Sequence, residues 1–517
     1  MSDGARLGFQ LNGQPVEVPD LGLSLLEVLR DQLGRIEVKD GCSPQGQCGC
    51  CTVLVDGAPR VSCVTPARRI RGRSVTTVEG IEPQRRDLWA DAMFATGGSQ
   101  CGFCTPGIIC RLEGAAAKGA DLTDRGTVDK ALLGHLCRCT GWLPIREAAA
   151  LVAQGATQPD DRDVAAASRR AELEGGAPQR VGPSVAIGRS GFADDLASRD
   201  SLVALPSGDS WIVAESISEA RAAMGKVQGR RSSVVPTPPI ELPAGPWAAA
   251  LQTCWTEPAY LEPDAVYCEP GGVPVGPLTN GGAFGAKVDD HLRAVAAELA
   301  TQHGRPVRVL YDREDVVRRG AKRPPLALGL RPDMSGVLRV AATPGVEGLV
   351  AAIAPGVVVE PVEVSGPPTS IHVRGAIRAE LEMAMAAIRN DHEVTVTLDS
   401  GAWCRAAVDS DGVHLVVSAG APLDPVVLRS YTIGAAHQAL GFVGSEALAV
   451  DSQGEVQDLT IRSFGVLRAV DTPPIHVDIV NSDAAPVAVG EAVFCAVASA
   501  AWAQAGRPQA IPVSAAT

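Results

Sequence analysis

Residues 41–57 read GCSPQGQCGCCTVLVDG. Cys42, Cys48 and Cys51 follow the spacing C-x5-C-x2-C, and Cys63 comes after eleven further residues. Two irons bridged by two sulfides need four thiolates in a small volume, and plant-type [2Fe–2S] loops use a closely related spacing with a distant fourth ligand. Gly46 and Gly49 let the backbone wrap round the sulfides and turn N–H groups towards them, which favours the extra negative charge gained on reduction. A four-cysteine spacing alone also serves a zinc knuckle. Cys50 adjoins Cys51; the x2 step from Cys48 selects Cys51 and leaves Cys50 to packing.

Working outward, a second quartet follows. Cys101 and Cys104 lie in QCGFCTPG at 100–107, and Cys137 and Cys139 in HLCRCTGW at 135–142. A lone C-x-x-C is redox-active or metal-binding; coupled to C-x-C on a second helical segment, it predicts another [2Fe–2S] site. Gly102 and Gly107 relieve crowding there, and Pro106 restricts the loop. Two clusters on one chain make an electron relay.

The chain of 517 residues exceeds one ordinary domain. Lys and Arg number 46 against 59 Asp and Glu, a net charge of −13, which excludes the basic footprint of a nonspecific nucleic-acid binder. The start, MSDGARLGFQLNG, has no signal-peptide run, and no stretch is apolar enough for a transmembrane segment. Six cysteines outside the quartets are dispersed and suggest no disulfide framework, so the expected compartment is the cytoplasm.

Texture divides the chain into four. Residues 1–80 open on an alternating hairpin at 6–19 with an Asn12-Gly13 turn, then a helix at 24–33 capped by Ser24 and short strands, a small α+β unit. Residues 81–155 read as short helices. Residues 156–185, rich in Ala, Arg, Asp and Glu, read as a linker running over the surface. Residues 186–517 form a large α+β region, with strands expected at 202–205, 370–375, 393–399, 413–420 and 473–481 and helices at 288–302, 375–388 and 492–504.

The two cysteine segments together resemble the two-cluster portion of the xanthine dehydrogenase/aldehyde oxidase family, the molybdenum hydroxylases. The resemblance implies a multidomain α+β fold: a β-grasp, ferredoxin-like 2Fe-2S domain, then a helical 2Fe-2S-binding domain, with its cluster nearer the molybdopterin. It also implies that Gln100 and Cys139 approach the pterin. His135 stands where this family often has Asn, and the first loop holds five residues where four are usual.

Beyond 186 the resemblance is to a truncated molybdopterin-binding subunit. GFADD at 191–195, AYLEPDAVYCEPGG at 259–272, GGAFGAK at 281–287 and GRPVRVLYDRED at 304–315 carry it. It implies cofactor-side roles for Gly282, Phe284 and Gly285. HVRG at 372–375 implies that Arg374 is a substrate-side electrophilic stabiliser, and VGE at 489–491 that Glu491 is the general base of a water-dependent hydroxylation. AVF follows VGE where the family has PP, and no GQG-type cofactor loop is found. The expectation is therefore an iron–sulfur electron-transfer subunit that is not active alone. Its molybdopterin would sit on a partner catalytic subunit, with FAD on a further partner. Two alternatives stand beside it: Glu491 completes a shared active site, or the chain is a noncatalytic assembly scaffold with clusters.

Overall fold

The computed structural model describes residues 6–156, 162–224, 234–276, 282–287 and 291–515. Its first sheet follows from an alternating strand. In β1 (Arg6–Leu11), Leu7, Phe9 and Leu11 point inward. Asn12 and Gly13 both take positive φ, 51° and 78°, the turn that matches strand twist, and the chain returns as β2 (Gln14–Pro19). With β3 (Thr52–Val55), β4 (Ala58–Val61) and β5 (Ser74–Thr76) the order is β2-β1-β5-β3-β4. Helix α1 (Leu25–Glu27), extended by a π turn to Gln32, covers one face; Ser24 and Glu27 close its start in a reciprocal capping box.

Four helices follow: α2 (Pro83–Thr96), α3 (Thr105–Ala116), α4 (Arg125–Ala131) and α5 (Leu143–Gln154). Trp89, Met93, Ile108, Leu112, Trp142 and Ile145 fill their centre. The connecting segment does not simply run over the surface. It carries α6 (Val164–Gly175), whose Arg170 is fully buried and donates to the carbonyls of Val487, Ala419, Ala421 and Pro422.

Among the described residues the large region holds three sheets. Short helices α7 (Pro183–Ala186) and α8 (Ala193–Leu196) lead into β6 (Leu202–Ser207) and β7 (Ser210–Ala214), then α9 (Ile217–Met224) and β8 (Ala249–Thr253). Strand β9 (Ala265–Cys268), helix α10 (His291–His303), strand β10 (Val307–Leu310) and helix α11 (Arg313–Arg319) follow. The first of these sheets runs β7-β6-β10-β9, and α10 lays Leu292, Val295, Ala296 and Ala300 on it at helical spacing. Strands β11 (Leu326–Leu330) and β12 (Gly336–Ala341), helix α12 (Val346–Ile353) and β13 (Val357–Val362) come next. Helix α13 (Arg378–Arg389) precedes β14 (Val394–Thr397), β15 (Trp403–Asp409) and β16 (Gly412–Ser418). Helix α14 (Pro425–Gly444), β17 (Ile475–Ile479), α15 (Gly490–Gln504) and β18 (Ala510–Ile511) complete the chain. Two further sheets run β13-β12-β11-β8-β18 and β14-β15-β16-β17. Strand β18 pairs in parallel with β8, so the end of the chain closes a sheet begun some 260 residues earlier.

One expected strand is absent. Residues 370–375 form a turn before α13, although their alternation suits a strand. Arg374 N–H donates to Phe284 O at 3.0 Å, and Gly375 and Ile377 take φ of 63° and 67°, so the backbone binds a neighbouring loop rather than a ladder. The expected helix at 288–302 begins at His291 among the described residues.

Helix α14 is buried on nearly all sides because it lies between the helical cysteine unit and α15. No helix among the described residues is long and apolar enough to cross a membrane. The helical cysteine unit shares one apolar core with Phe192, Trp255, Tyr260, Phe284, Val373 and Phe464 from the large region.

Candidate iron–sulfur centres and the adjoining pocket

The loop after α1 brings the first four thiols together. Gly46 and Gly49 take φ of 69° and 78°, bending the backbone back on itself. The N–H groups of Gln47 and Cys48 both point at Cys42 Sγ, 3.3 Å away. Cys42 lies within bonding reach of Cys48 and Cys63, and Cys63 of Cys51; all four are buried. Hydrogen bonds from the Cys48 and Cys63 thiols hold Cys42 well below an ordinary thiol, the behaviour of sulfurs crowded enough to share protons. Cys50 also reaches Cys48, so five thiols meet here.

The second four assemble around the start of α3. Cys101 and Cys104 precede its first turn, where the helix dipole favours thiolates. Cys139 Sγ lies 3.5 Å from Cys101 Sγ, and Cys104 is within reach of Cys137. The Cys104 thiol and Thr140, whose hydroxyl is 3.1 Å from Cys137 Sγ, hold Cys137 at about 7 against the opposing effect of burial. Among the described residues no group of three His, Cys, Asp or Glu side chains surrounds a single-ion centre. Thiols in adjacent pairs fit a two-iron unit, in which each iron takes two cysteines. The residues therefore fit a [2Fe–2S] cluster at each quartet.

The two loops touch. Leu136 N–H, beside Cys137, donates to Cys48 O at 3.0 Å. Gly107 is required in α3, since a Cβ there would lie 2.4 Å from Gly49 O. Between Cys137 and Cys139, Arg138 forms a buried two-pronged ion pair with Glu446, its Nη2–Oε2 arm at 2.6 Å. Arg462 Nε donates to Gln47 O at 2.9 Å and its Nη2 to Leu133 O at 2.8 Å, strapping both loops. Neither Glu446 nor Arg462 has a local signal in the sequence; each acts on a loop more than 300 residues away.

Arg374, Phe284, Gly285 and Glu491 meet at a pocket of about 420 Å³, joined by His372 and Glu174. Gly282 is buried in the turn leading to Phe284, and Gly281 lies outside the described residues. The Arg374 guanidinium lies over the Phe284 ring, 5.0 Å from its centre, and donates to Gln438 Oε1 at 3.1 Å. Burial lowers its pKa, opposed by the charge of Glu174. Glu491 stands in the first turn of α15, its side chain 44% exposed and paired with Arg378 at 3.2 Å. Glu174 escaped notice in the sequence because it falls in the connecting segment; Arg170 four residues earlier was the available signal. Its carboxylate accepts N–H bonds from Val489 and Gly490 at 3.2 Å and pairs with Arg170.

Gln100 and Cys139 are not in that lining. Gln100 Nε2 donates to Cys139 O at 3.0 Å and to Ser430 Oγ at 2.9 Å. Helix α14 approaches so closely that a Cβ on Gly434 would stand 1.7 Å from Cys139 O. Arg374 and Glu491, expected on the substrate side, thus gather without Gln100 and Cys139, expected on the pterin side, and Glu174 already takes the helix-end donors that an anionic group would use. The residues lining this pocket do not by themselves form a molybdopterin cradle.

Comparison with known proteins bears on these sites. Residues 9–73 match the family described as "2Fe-2S iron-sulfur cluster binding domain", and residues 77–150 the "[2Fe-2S] binding domain". The nicotinate dehydrogenase small FeS subunit of Eubacterium barkeri is 36% identical over 144 residues, 28% of this chain and 90% of that one. The xanthine dehydrogenase iron-sulfur-binding subunit of Escherichia coli O157:H7 is 39% identical over 135 residues, 26% of this chain and 84% of that one. In fold, the chain is similar to the aldehyde oxidoreductase from Desulfovibrio gigas, with a TM-score of 0.68 and 16% identity over 96% of this chain and 97% of the other.

That last match corrects the expected partners and cofactor placement. The matched fold spans 96% of this chain, cysteine-rich part and large region together, so the fold expected of a separate molybdopterin-binding subunit lies within this chain. The expectation of a separate molybdopterin-binding catalytic subunit falls with it. Missing motifs suggested a missing subunit, but the fold match spans both parts of the chain without them.

Proposed function

The chain belongs to the xanthine dehydrogenase/aldehyde oxidase family of molybdenum hydroxylases, and from that premise we propose that it works as the electron relay of such an oxidoreductase. It is an iron–sulfur-containing component of this enzyme type. Two [2Fe–2S] clusters, when bound, would each take up and release one electron. We assign Cys101, Cys104, Cys137 and Cys139 to the entry side, as the family resemblance implies, and Cys42, Cys48, Cys51 and Cys63 to the outlet towards an external acceptor.

The hydrogen bond from Leu136 N–H to Cys48 O carries this reading, because it joins the two ligand loops by a single non-covalent step. Glu446 holds Arg138, and with it the segment between Cys137 and Cys139; Arg462 holds the Gln47 turn. Fourteen unpaired thiols support a reducing, cytoplasmic setting.

Anaerobically prepared protein is expected to contain iron and acid-labile sulfide for both sites and to give two distinct EPR signals on reduction with dithionite. C137S should remove one signal and leave the other. Zinc without labile sulfide would defeat the proposal.

The pocket supports a second reading, in which Arg374 contacts an anionic substrate and Glu491 serves as its base; their shared lining favours it. E491Q would then abolish turnover with both clusters intact, and unchanged turnover would eliminate it.

A further inference from the structure

His135 lies between the two ligand sets, two residues before Cys137, and its ring is buried against the other loop. A Cβ on Gly49, between Cys48 and Cys51, would come 2.5 Å from His135 Cδ2, so the ring packs directly on that backbone. His135 Nε2 is 3.0 Å from Thr52 Oγ1, and Thr52 Oγ1 donates to Gly49 O at 2.7 Å. A hydroxyl has one proton to give; with that proton on Gly49 O, the Thr52 oxygen accepts from the ring. The tautomer is thereby assigned, with the proton on Nε2. The next residue, Leu136, makes the N–H bond to Cys48 O that links the loops. Ring, hydroxyl and backbone thus form a closed clamp: His135 to Thr52, Thr52 to Gly49, Cys48 to Leu136, and Leu136 back to His135.

We propose that His135 is a positioning residue for electron transfer between the two clusters, holding the Gly49 turn so that Cys48 O stays bonded to Leu136 N–H. The proposal rests on the relay reading above. Electron tunnelling is steeply weakened when a bonded step becomes a gap. Groups bonded to ligand-bearing backbone also tune the metal centre they surround. The clamp therefore acts on the coupling between the clusters and on the potential of the ferredoxin-like one, without touching either set of sulfurs.

The test uses the full-length protein with both clusters loaded. Wild type, H135A, H135Q and T52V are compared for iron and labile-sulfide content, magnetic interaction between the reduced clusters by EPR, the midpoint potential of each cluster, and the rate of intramolecular electron transfer. H135A is expected to keep both clusters, lose most of the magnetic interaction and slow transfer about tenfold, the scale of outer-shell substitutions at metal sites. H135Q places an amide N–H near the Nε2 position and should restore both readouts. Wild-type coupling and rate in fully loaded H135A overturn the proposal. If H135A fails to hold the ferredoxin-like cluster, T52V decides: it keeps the ring and removes only the hydroxyl, and wild-type behaviour there also overturns it. Failure of the wild type itself to give two reducible clusters defeats the relay reading instead.

Discussion

Arg170 and Glu174 show how far single side chains control the pocket. Both are wholly buried, four residues apart on α6, and bind backbone groups of distant loops and of the α15 N-terminus. Burial raises the Glu174 pKa, opposed by Arg170. Removing one member of such a pair leaves the other charge uncompensated, a loss of about 3–5 kcal/mol. R170A is therefore expected to lower urea stability by that order, and R170M by less, because the carboxyl in either variant can protonate but only R170M keeps the packing. His437 offers a pH test. Burial, reinforced by the charge of Arg138, depresses its pKa to about 3 against a backbone hydrogen bond at Leu467. A histidine depressed in the folded state contributes stability above its unfolded value of about 6.5, and loses it as pH falls towards 3. Wild-type protein should weaken over that window, and H437L should weaken less; equal acid sensitivity would contradict the assignment.

At the scale of elements, α14 decides what the second quartet can do. Its Gly434 lies against Cys139 O, whereas a Cβ on Gly444 at its end would meet nothing. Overpacking of this kind costs about 1–3 kcal/mol. G434A should lower Tm and reduce the iron held by the helical unit, while G444A should leave both near wild type. Short-range signals were well read in the elements: the Asn12-Gly13 hairpin, the Ser24 capping box and the period of α10 all rest on neighbours within a few residues. The segment 370–375 was misread because its alternation is real while its hydrogen-bond partner, the loop at Phe284, lies some 90 residues earlier.

For the molecule as a whole, the shared core is the main result. Phe103 and Trp142 of the helical unit pack with Phe192, Trp255 and Tyr260 of the large region, and Arg138 is paired across the same boundary. A fragment ending at residue 156 is expected to expose this face, bind a hydrophobic dye and unfold at a lower temperature than the full chain. A fragment as stable as the whole would show that the core is two separate cores.

The amino-acid sequence by itself determined the two cysteine quartets and the hairpin and helix cap that precede them, because cysteine spacing and turn geometry act over short stretches of chain. Only the tertiary structure decided that α14 seals Cys139 and Gln100, that Glu174 occupies the end of α15, and that Arg374 and Glu491 share one pocket. Those contacts join residues more than a hundred positions apart. Burial makes them strong, yet no local pattern of residue types announces which distant partner a buried charge or a helix face will meet.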